Sequence, residues 1–225
     1  MTQTHRPGRI WGVIQHVDYD GEGAIRHALH RAECPWVSVR PFRGDPVPRA
    51  ADLSGLIVLG APDGSADASC AHLVAERRLV ADAVSLGLPV LGVCFGAQLL
   101  AVALGGRVIS DGAPEVGMGA AALTDAGRAD RVVGSAAPHL TVLHWHRHSY
   151  TLPRGAVRLA TSGSGIEQAF RVKDNVYGLQ FHVEIDAELA RVIADQMPQG
   201  ALPPDAVARA SAWGNTVLDR FLAED

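Results

Sequence analysis

The chain has 225 residues, 48% hydrophobic and 20% charged, which is enough for one α/β domain with a sizeable core and short for two. A net charge of −4 with no long basic run gives no electrostatic reason to expect a nucleic-acid partner, and no apolar run reaches membrane-spanning length. The opening MTQTHRPGR is polar and does not read as a signal peptide, and the three cysteines, Cys34, Cys70 and Cys94, cannot all pair and lack C-x-x-C spacing; both features point to a reducing, cytoplasmic setting.

In chain order, Ile10–His16 (IWGVIQH) is a short apolar strand followed by an acidic and glycine turn, DYDGEG. Ala24–Ala32 has helical spacing, and WVSVRPF reads as a second strand. Gly55–Gly60 (GLIVLG) is continuously apolar, the mark of a strand buried on both faces. After the loop APDGSAD, the spacing predicts a long amphipathic helix over Cys70–Leu86, with Leu73, Val80 and Val84 on one side and Gly87 as its cap. Leu88–Val93 is the next buried strand, and Gly96–Leu104 the next helix, closed by Gly105-Gly106.

From Val108 to Tyr150 the pattern changes to shorter β-like pieces, including AALTD and TVLHWH. AVRLATS, IEQAFRV and NVYGLQFHVE read as three antiparallel or edge strands. SGSG (162–165) is only a hairpin loop, without the lysine and strand-to-helix setting of a phosphate-binding loop. Glu188–Gln196 and Asp205–Leu222 close the chain as helices around the loop PQGALPP. Strands alternating with helices in the first half predict a three-layer α/β/α domain over 1–225, built on a mostly parallel open sheet.

The stretch G-V-C-F-G (Gly92–Gly96) joins a buried strand to a helix and has the form of a nucleophile elbow with sulfur in place of oxygen. Such a turn is tight, so the nucleophile takes a strained backbone conformation and flanking glycines avoid steric clashes. It lifts the side chain above the carboxyl edge of the sheet, where open α/β sheets bind ligands. The helix N-terminus favours a thiolate and later an oxyanion, for which the N–H of Phe95 is the natural donor. The plainer alternative for Cys94 is a buried structural thiol. Cys34 and Cys70 lack the glycine frame and read as inert.

A cysteine nucleophile needs a histidine to handle its proton and a third group to fix the imidazole. In YGLQFHVE (177–184), His182 and Glu184 are two apart, so in an extended strand they project from one face and the carboxylate can steer the ring. A surface His–Glu pair at a strand end is the bland alternative.

Taken together, G-V-C-F-G-A-Q-L-L-A and the downstream G-L-Q-F-H-V-E resemble the class I glutamine amidotransferases, whose chemistry uses a Cys–His–Glu triad and whose fold is flavodoxin-like. The ALGG ending, the paired QAFRV and GLQFHVE strands and HWHRHSYTLP are similar to stand-alone members like the amidotransferase domain of GMP synthetase. The likeness is strongest over 10–185, with 186–225 as C-terminal helices. It implies that Cys94 attacks the side-chain amide of glutamine, that His182 protonates the departing ammonia and then activates water, and that Glu184 orients His182. Gln98 matches the glutamine-contacting position of the family, and LGAPDG (59–64) its glycine-rich oxyanion loop, with Gly60 beside the substrate and Ala61 where a second glycine is common. Trp145, His146, Arg147 and His148 fall beside the amino-acid end of the substrate, where the family usually carries His-Gly-Asp; here Arg147 and His148 replace the glycine and the aspartate. Glu115-Val116-Gly117-Met118 departs too, lacking a tryptophan after the glycine.

His144, His146 and His148 recur at period two and would share a face in an extended segment, a candidate zinc or nickel set. With no fourth ligand evident and a substrate-facing explanation at hand, the sequence assigns neither metal nor cofactor. The leading expectation is therefore a glutamine amidotransferase that releases ammonia from glutamine, with any acceptor chemistry on a separate synthetase subunit. The first alternative is a γ-glutamyl hydrolase or peptidase acting on another γ-glutamyl substrate, favoured by Arg147-His148. The second is a binding or regulatory protein of the same fold that is silent without a partner.

Overall fold

The computed structural model describes residues 10–18, 21–61 and 70–223. Its first half alternates as the apolar runs require: strand β1 (Ile10–Ile14), helix α1 (Ala24–Arg31), β2 (Trp36–Val39), β3 (Leu53–Val58), α2 (Ala71–Ser85), β4 (Val90–Val93) and α3 (Phe95–Ala103). The second half holds β5 (Val108–Ile109), β6 (Glu115–Leu123), α4 (Asp125–Arg128), β7 (His139–His146), β8 (Ser149–Tyr150), β9 (Val157–Ser162), β10 (Glu167–Val172), β11 (Val176–Leu179), α5 (Ala187–Ile193) and α6 (Pro204–Leu222).

The main sheet has nine strands in the order β2-β1-β3-β4-β11-β10-β9-β6-β7. Its first five run parallel, and the last four extend it antiparallel. All four residues of β4 and all four of β11 are buried, as expected of strands covered on both faces. On one face, Val13, Ile57, Leu91 and Leu179 pack under Ile25 and Leu29 of α1 and Leu218 and Phe221 of α6. On the other, Ile14, Leu56, Val58 and Val90 meet Leu79 and Val80 of α2 and Leu99 and Leu100 of α3. Neighbouring residues such as Leu56 and Ile57 enter opposite clusters, which is the period-two alternation of a strand. The expected three layers follow.

Two expectations need correction. NVYGLQFHVE does not supply an edge strand: β11 is central, parallel to β4 on one side and antiparallel to β10 on the other. Its strand also stops at Leu179, so His182 and Glu184 do not lie in regular extended structure. The short β-like pieces after Val108 are dominated by one long ribbon, in which β6 pairs with β7 from Glu115↔His146 to Ala122↔His139. That ribbon curls back over the end of β11, because the N–H of His182 donates to the carbonyl of Leu143 at 2.9 Å. Residues from two distant strands are thereby brought to one edge of the sheet.

Candidate active site

The site begins where β4 runs into α3. Cys94 sits between them with φ +53° and ψ −110°, a left-handed conformation that costs a non-glycine residue about 1–3 kcal/mol. Its N–H donates to Leu179 of β11 at 2.7 Å, and its carbonyl already accepts from Ala97 and Gln98 at 3.0 and 3.2 Å. The turn is thus clamped from both sides, and the N–H of Phe95 lies at the open first turn of α3. The flanking glycines are needed for closeness. A Cβ on Gly92 would lie 2.4 Å from the carbonyl oxygen of Gly96, and one on Gly96 would lie 2.0 Å from that of Val58.

The sulfur is buried and has polar company. Cys94 Sγ lies 3.7 Å from the carbonyl oxygen of Trp145, and Gln180 Nε2 reaches the sulfur at 3.8 Å. Gln98, one turn into α3, is also buried, and its Nε2 donates to the carbonyl of His148 at 3.0 Å and to Gln180 Oε1 at 3.3 Å. Gln98 therefore faces the site rather than solvent. Gln180 carries no signal of its own in the sequence, although it opens the QFHVE motif that holds the next two groups.

His182 and Glu184 meet despite the end of the strand: His182 Nδ1 lies 2.7 Å from Glu184 Oε1, with both side chains buried. The carboxylate fixes the proton on Nδ1 and leaves Nε2 for the Cys94 sulfur. Burial acts to lower the imidazolium's pKa, but the Glu184 carboxylate and the Cys94 sulfur outweigh it, and the pKa stands well above the ordinary histidine range. Cys94, His182 and Glu184 are thus one electrostatic unit, able to pair a sulfur nucleophile with a charged proton donor.

Opposite the elbow, β3 leads to Gly60, which is buried, and Ala61, which is half-buried; residues 62–64 of the LGAPDG loop lie outside the described residues. His16, in sequence only the end of a strand, lies just past β1. Its Nδ1 is 3.2 Å from the carbonyl oxygen of Gly60, and its Nε2 is 2.8 Å from Glu76 Oε2 on α2. A carbonyl can only accept, so Nδ1 carries a hydrogen. No peptide is cis among the described residues, so the N–H of Ala61 points away from His16, on the opposite side of the same planar unit. The pair His16–Glu76 spans 60 residues and gives no local signal.

The HWHRHS segment divides. Trp145 flanks the sulfur, with its ring centroid 6.1 Å from that of His182. His144 and His146 are buried and turn toward Glu115 on β6, at 3.8 and 3.2 Å from its Oε2. β7 ends at His146, so His148 leaves the shared face that strict period two would give it. Its carbonyl is the group that meets Gln98. Arg147 is exposed and, with His146, lines a cavity of about 420 Å³ whose walls include neither Cys94 nor His182. Burial holds His146 down to a pKa of about 4, against the pull of Glu115, and lowers His144 for the same reason. Met118, at the other departure from the family pattern, packs with Trp145 and Ala201 in the cluster under α5 and α6.

The model of the family "Glutamine amidotransferase class-I" matches residues 17–194. The chain belongs to this family. It is similar to the glutamine amidotransferase-like protein YfeJ of Salmonella typhimurium, 30% identical over 82% of this chain and 84% of the relative. It is also similar to one subunit of the glutamine-hydrolysing GMP synthase of Natronomonas pharaonis, 35% identical over 74% of this chain and 85% of the relative. Among solved structures, a glutamine amidotransferase from Methylobacillus flagellatus superposes with a TM-score of 0.86 at 26% identity, covering 97% of this chain and 96% of the other. A glutamine amidotransferase from Thermotoga maritima gives a TM-score of 0.79 at 23% identity over 96% and 97%, a likeness of fold. This class I glutamine amidotransferase is therefore an enzyme of that class on the expected flavodoxin-like frame. Among the described residues no helix is long and apolar enough to cross a membrane.

Proposed function

We propose that the enzyme hydrolyses the side-chain amide of glutamine through a γ-glutamyl thioester on Cys94, with its 225 residues acting as one domain. The observation that carries this reading is the coupling of Cys94, His182 and Glu184, with the imidazole held protonated beside the sulfur. The thiolate adds to the amide carbon, and the carbonyl electrons move to an oxyanion facing the N–H groups of Phe95 and Ala61. As the tetrahedral intermediate collapses, the C–N bond breaks and His182 Nε2 gives its proton to the departing nitrogen, releasing ammonia. Water then attacks the thioester while the now neutral His182 takes its proton, and cleavage of the C–S bond frees glutamate and restores the thiolate–imidazolium pair. In this reading Gln98, Gly60 and the backbone of Trp145–His148 contact the substrate's α-amino and α-carboxylate groups.

The Natronomonas pharaonis relative is one subunit of a larger enzyme, which supports a separate synthetase as the consumer of the ammonia. A second reading rests on the cavity beside Arg147, also lined by Arg158 and Glu167, which offers charged contacts to a γ-glutamyl conjugate longer than glutamine. The test is steady-state release of ammonia and glutamate from glutamine, with acid-quenched protein weighed for a γ-glutamyl adduct on Cys94. Turnover and adduct in the wild type, and neither in Cys94→Ala, are expected. Fast cleavage of γ-glutamyl amines beside negligible glutamine turnover selects the second reading, and no adduct from any γ-glutamyl compound or diazoketone glutamine mimic overturns both.

A further inference from the structure

We propose that Glu115, His144 and His146 form a binding site for a divalent transition-metal ion of the zinc type, apart from the nucleophile and independent of the reaction assigned above. One donor atom from each residue lies within 4.8 Å of the others, and Glu115 Oε2 stands 3.2 Å from His146 Nε2 and 3.8 Å from His144 Nδ1. Metal–ligand bonds of about 2.0–2.1 Å in a tetrahedral shell put ligand atoms roughly 3.3 Å apart, so Glu115 and His146 already have the spacing of two ligands on one ion and His144 joins them by a small inward shift. The strand register creates the set. Glu115 pairs across the ribbon with His146, and His144 falls on the same face two residues along β7.

Hydrogen bonding within the cluster does not explain these rings. His144 Nδ1 and His146 Nε2 are both buried, on residues only 6% and 7% exposed, and neither meets a partner in good hydrogen-bonding alignment, although Gln168 and the Ala120 backbone lie beside His144 and the His148 backbone beside His146. The 3.2 Å approach of His146 to Glu115 lacks the alignment of a hydrogen bond. Two buried nitrogens without a well-aligned partner, converging on one carboxylate oxygen, are what an ion satisfies.

The surroundings complete the case. Gln168 Nε2 donates to Glu115 Oε2 at 2.7 Å and Ser164 Oγ donates to Oε1 at 3.0 Å, so the carboxylate is oriented by outer partners as metal-binding carboxylates are. Gln168 Oε1 is itself buried beside His144, an acceptor within the same cluster for a water on the ion's remaining position. The cavity lined by His146 and Ser164 supplies an entry path. Trp145 lies between the two imidazoles in sequence, so an ion there would fasten the segment whose carbonyl flanks the Cys94 sulfur.

The test uses untagged full-length protein carrying Cys94→Ala and Cys70→Ser, which removes the sulfur ligands beside His182 and His72. The protein is stripped with a chelator, then titrated with Co²⁺ and competed with Zn²⁺. One equivalent of Co²⁺, with visible ligand-field bands and no thiolate charge-transfer band, is expected. His146→Ala should lose that spectrum, Glu115→Gln should weaken binding at least about tenfold, and Ser164→Ala should weaken it by about tenfold. Failure of the protein to take up one equivalent overturns the site, as does an unchanged titration in Glu115→Gln and His146→Ala. Should His146→Ala unfold by circular dichroism, Glu115→Gln, nearly the same shape, decides alone: unaltered Co²⁺ affinity overturns the site.

Discussion

Two histidine–glutamate groups lie on neighbouring parts of this molecule, and their chemistry runs in opposite directions. In the first, Glu184 meets His182 at 2.7 Å in hydrogen-bonding alignment, and the ring holds its proton strongly. In the second, Glu115 is engaged by Gln168 and Ser164, approaches His146 without that alignment, and burial keeps the ring neutral down to a pKa of about 4. Burial penalises the charged ring in both places. What separates them is whether the carboxylate is aimed along the N–H bond and whether a sulfur stands on the other side. The same residue types thus yield a charged ring in one place and a neutral one in the other.

The sharpest way to break this comparison is to remove the charged ring. His182→Ala should lower kcat for glutamine hydrolysis by about ten-thousandfold, because among the described residues no other imidazole is paired with the Cys94 sulfur; a loss under tenfold in a steady-state ammonia assay would show that a neighbour replaces it. Glu184→Gln keeps the shape and removes the charge that holds the proton on His182. We expect a loss of about a hundredfold to a thousandfold. The sign of the pH effect follows directly: without the carboxylate the imidazolium is released at lower pH, so the alkaline limb of the rate–pH profile moves to lower pH. A limb that stays in place, or moves up, contradicts the role given to Glu184.

A smaller effect probes the opposite side of the pocket. His16→Leu removes the hydrogen bond to the Gly60 carbonyl and frees the peptide that presents the Ala61 N–H. kcat should fall about tenfold with KM little changed, less than the hundredfold or more that follows outright loss of an oxyanion donor. The gentlest test perturbs nothing: nitrogen chemical shifts of the metal-free protein at pH 7 should show the His182 ring doubly protonated and the His146 ring neutral, titrating near 4. Two rings with the same charge would end the comparison.

The elbow is legible because one strand, two glycines, one cysteine and one helix follow each other without interruption over Leu88–Leu104. His182 and Glu184 are legible from their spacing and family likeness, though the geometry expected for them is wrong. They meet in a turn beyond Leu179, pinned by Leu143, rather than along a strand. Glu115 cannot be joined to His146 from sequence, since their contact exists only through the register of β6 on β7. His16 and Glu76 stay hidden for a related reason: the helix that carries Glu76 reaches His16 only once the sheet is assembled. The central place of β11 is equally invisible, because antiparallel and parallel partners leave the same apolar run of four buried residues.

One hydrogen atom sets the gauge of the catalytic mouth. The Cβ that Gly96 lacks would stand 2.0 Å from the Val58 oxygen, where ordinary contact begins at 3.4 Å, so a single methyl would wedge strand and helix apart by more than an ångström. Phe95 rides on that helix and Ala61 follows that strand; the width of the oxyanion gap proposed between their amides is thus calibrated by a side chain that does not exist.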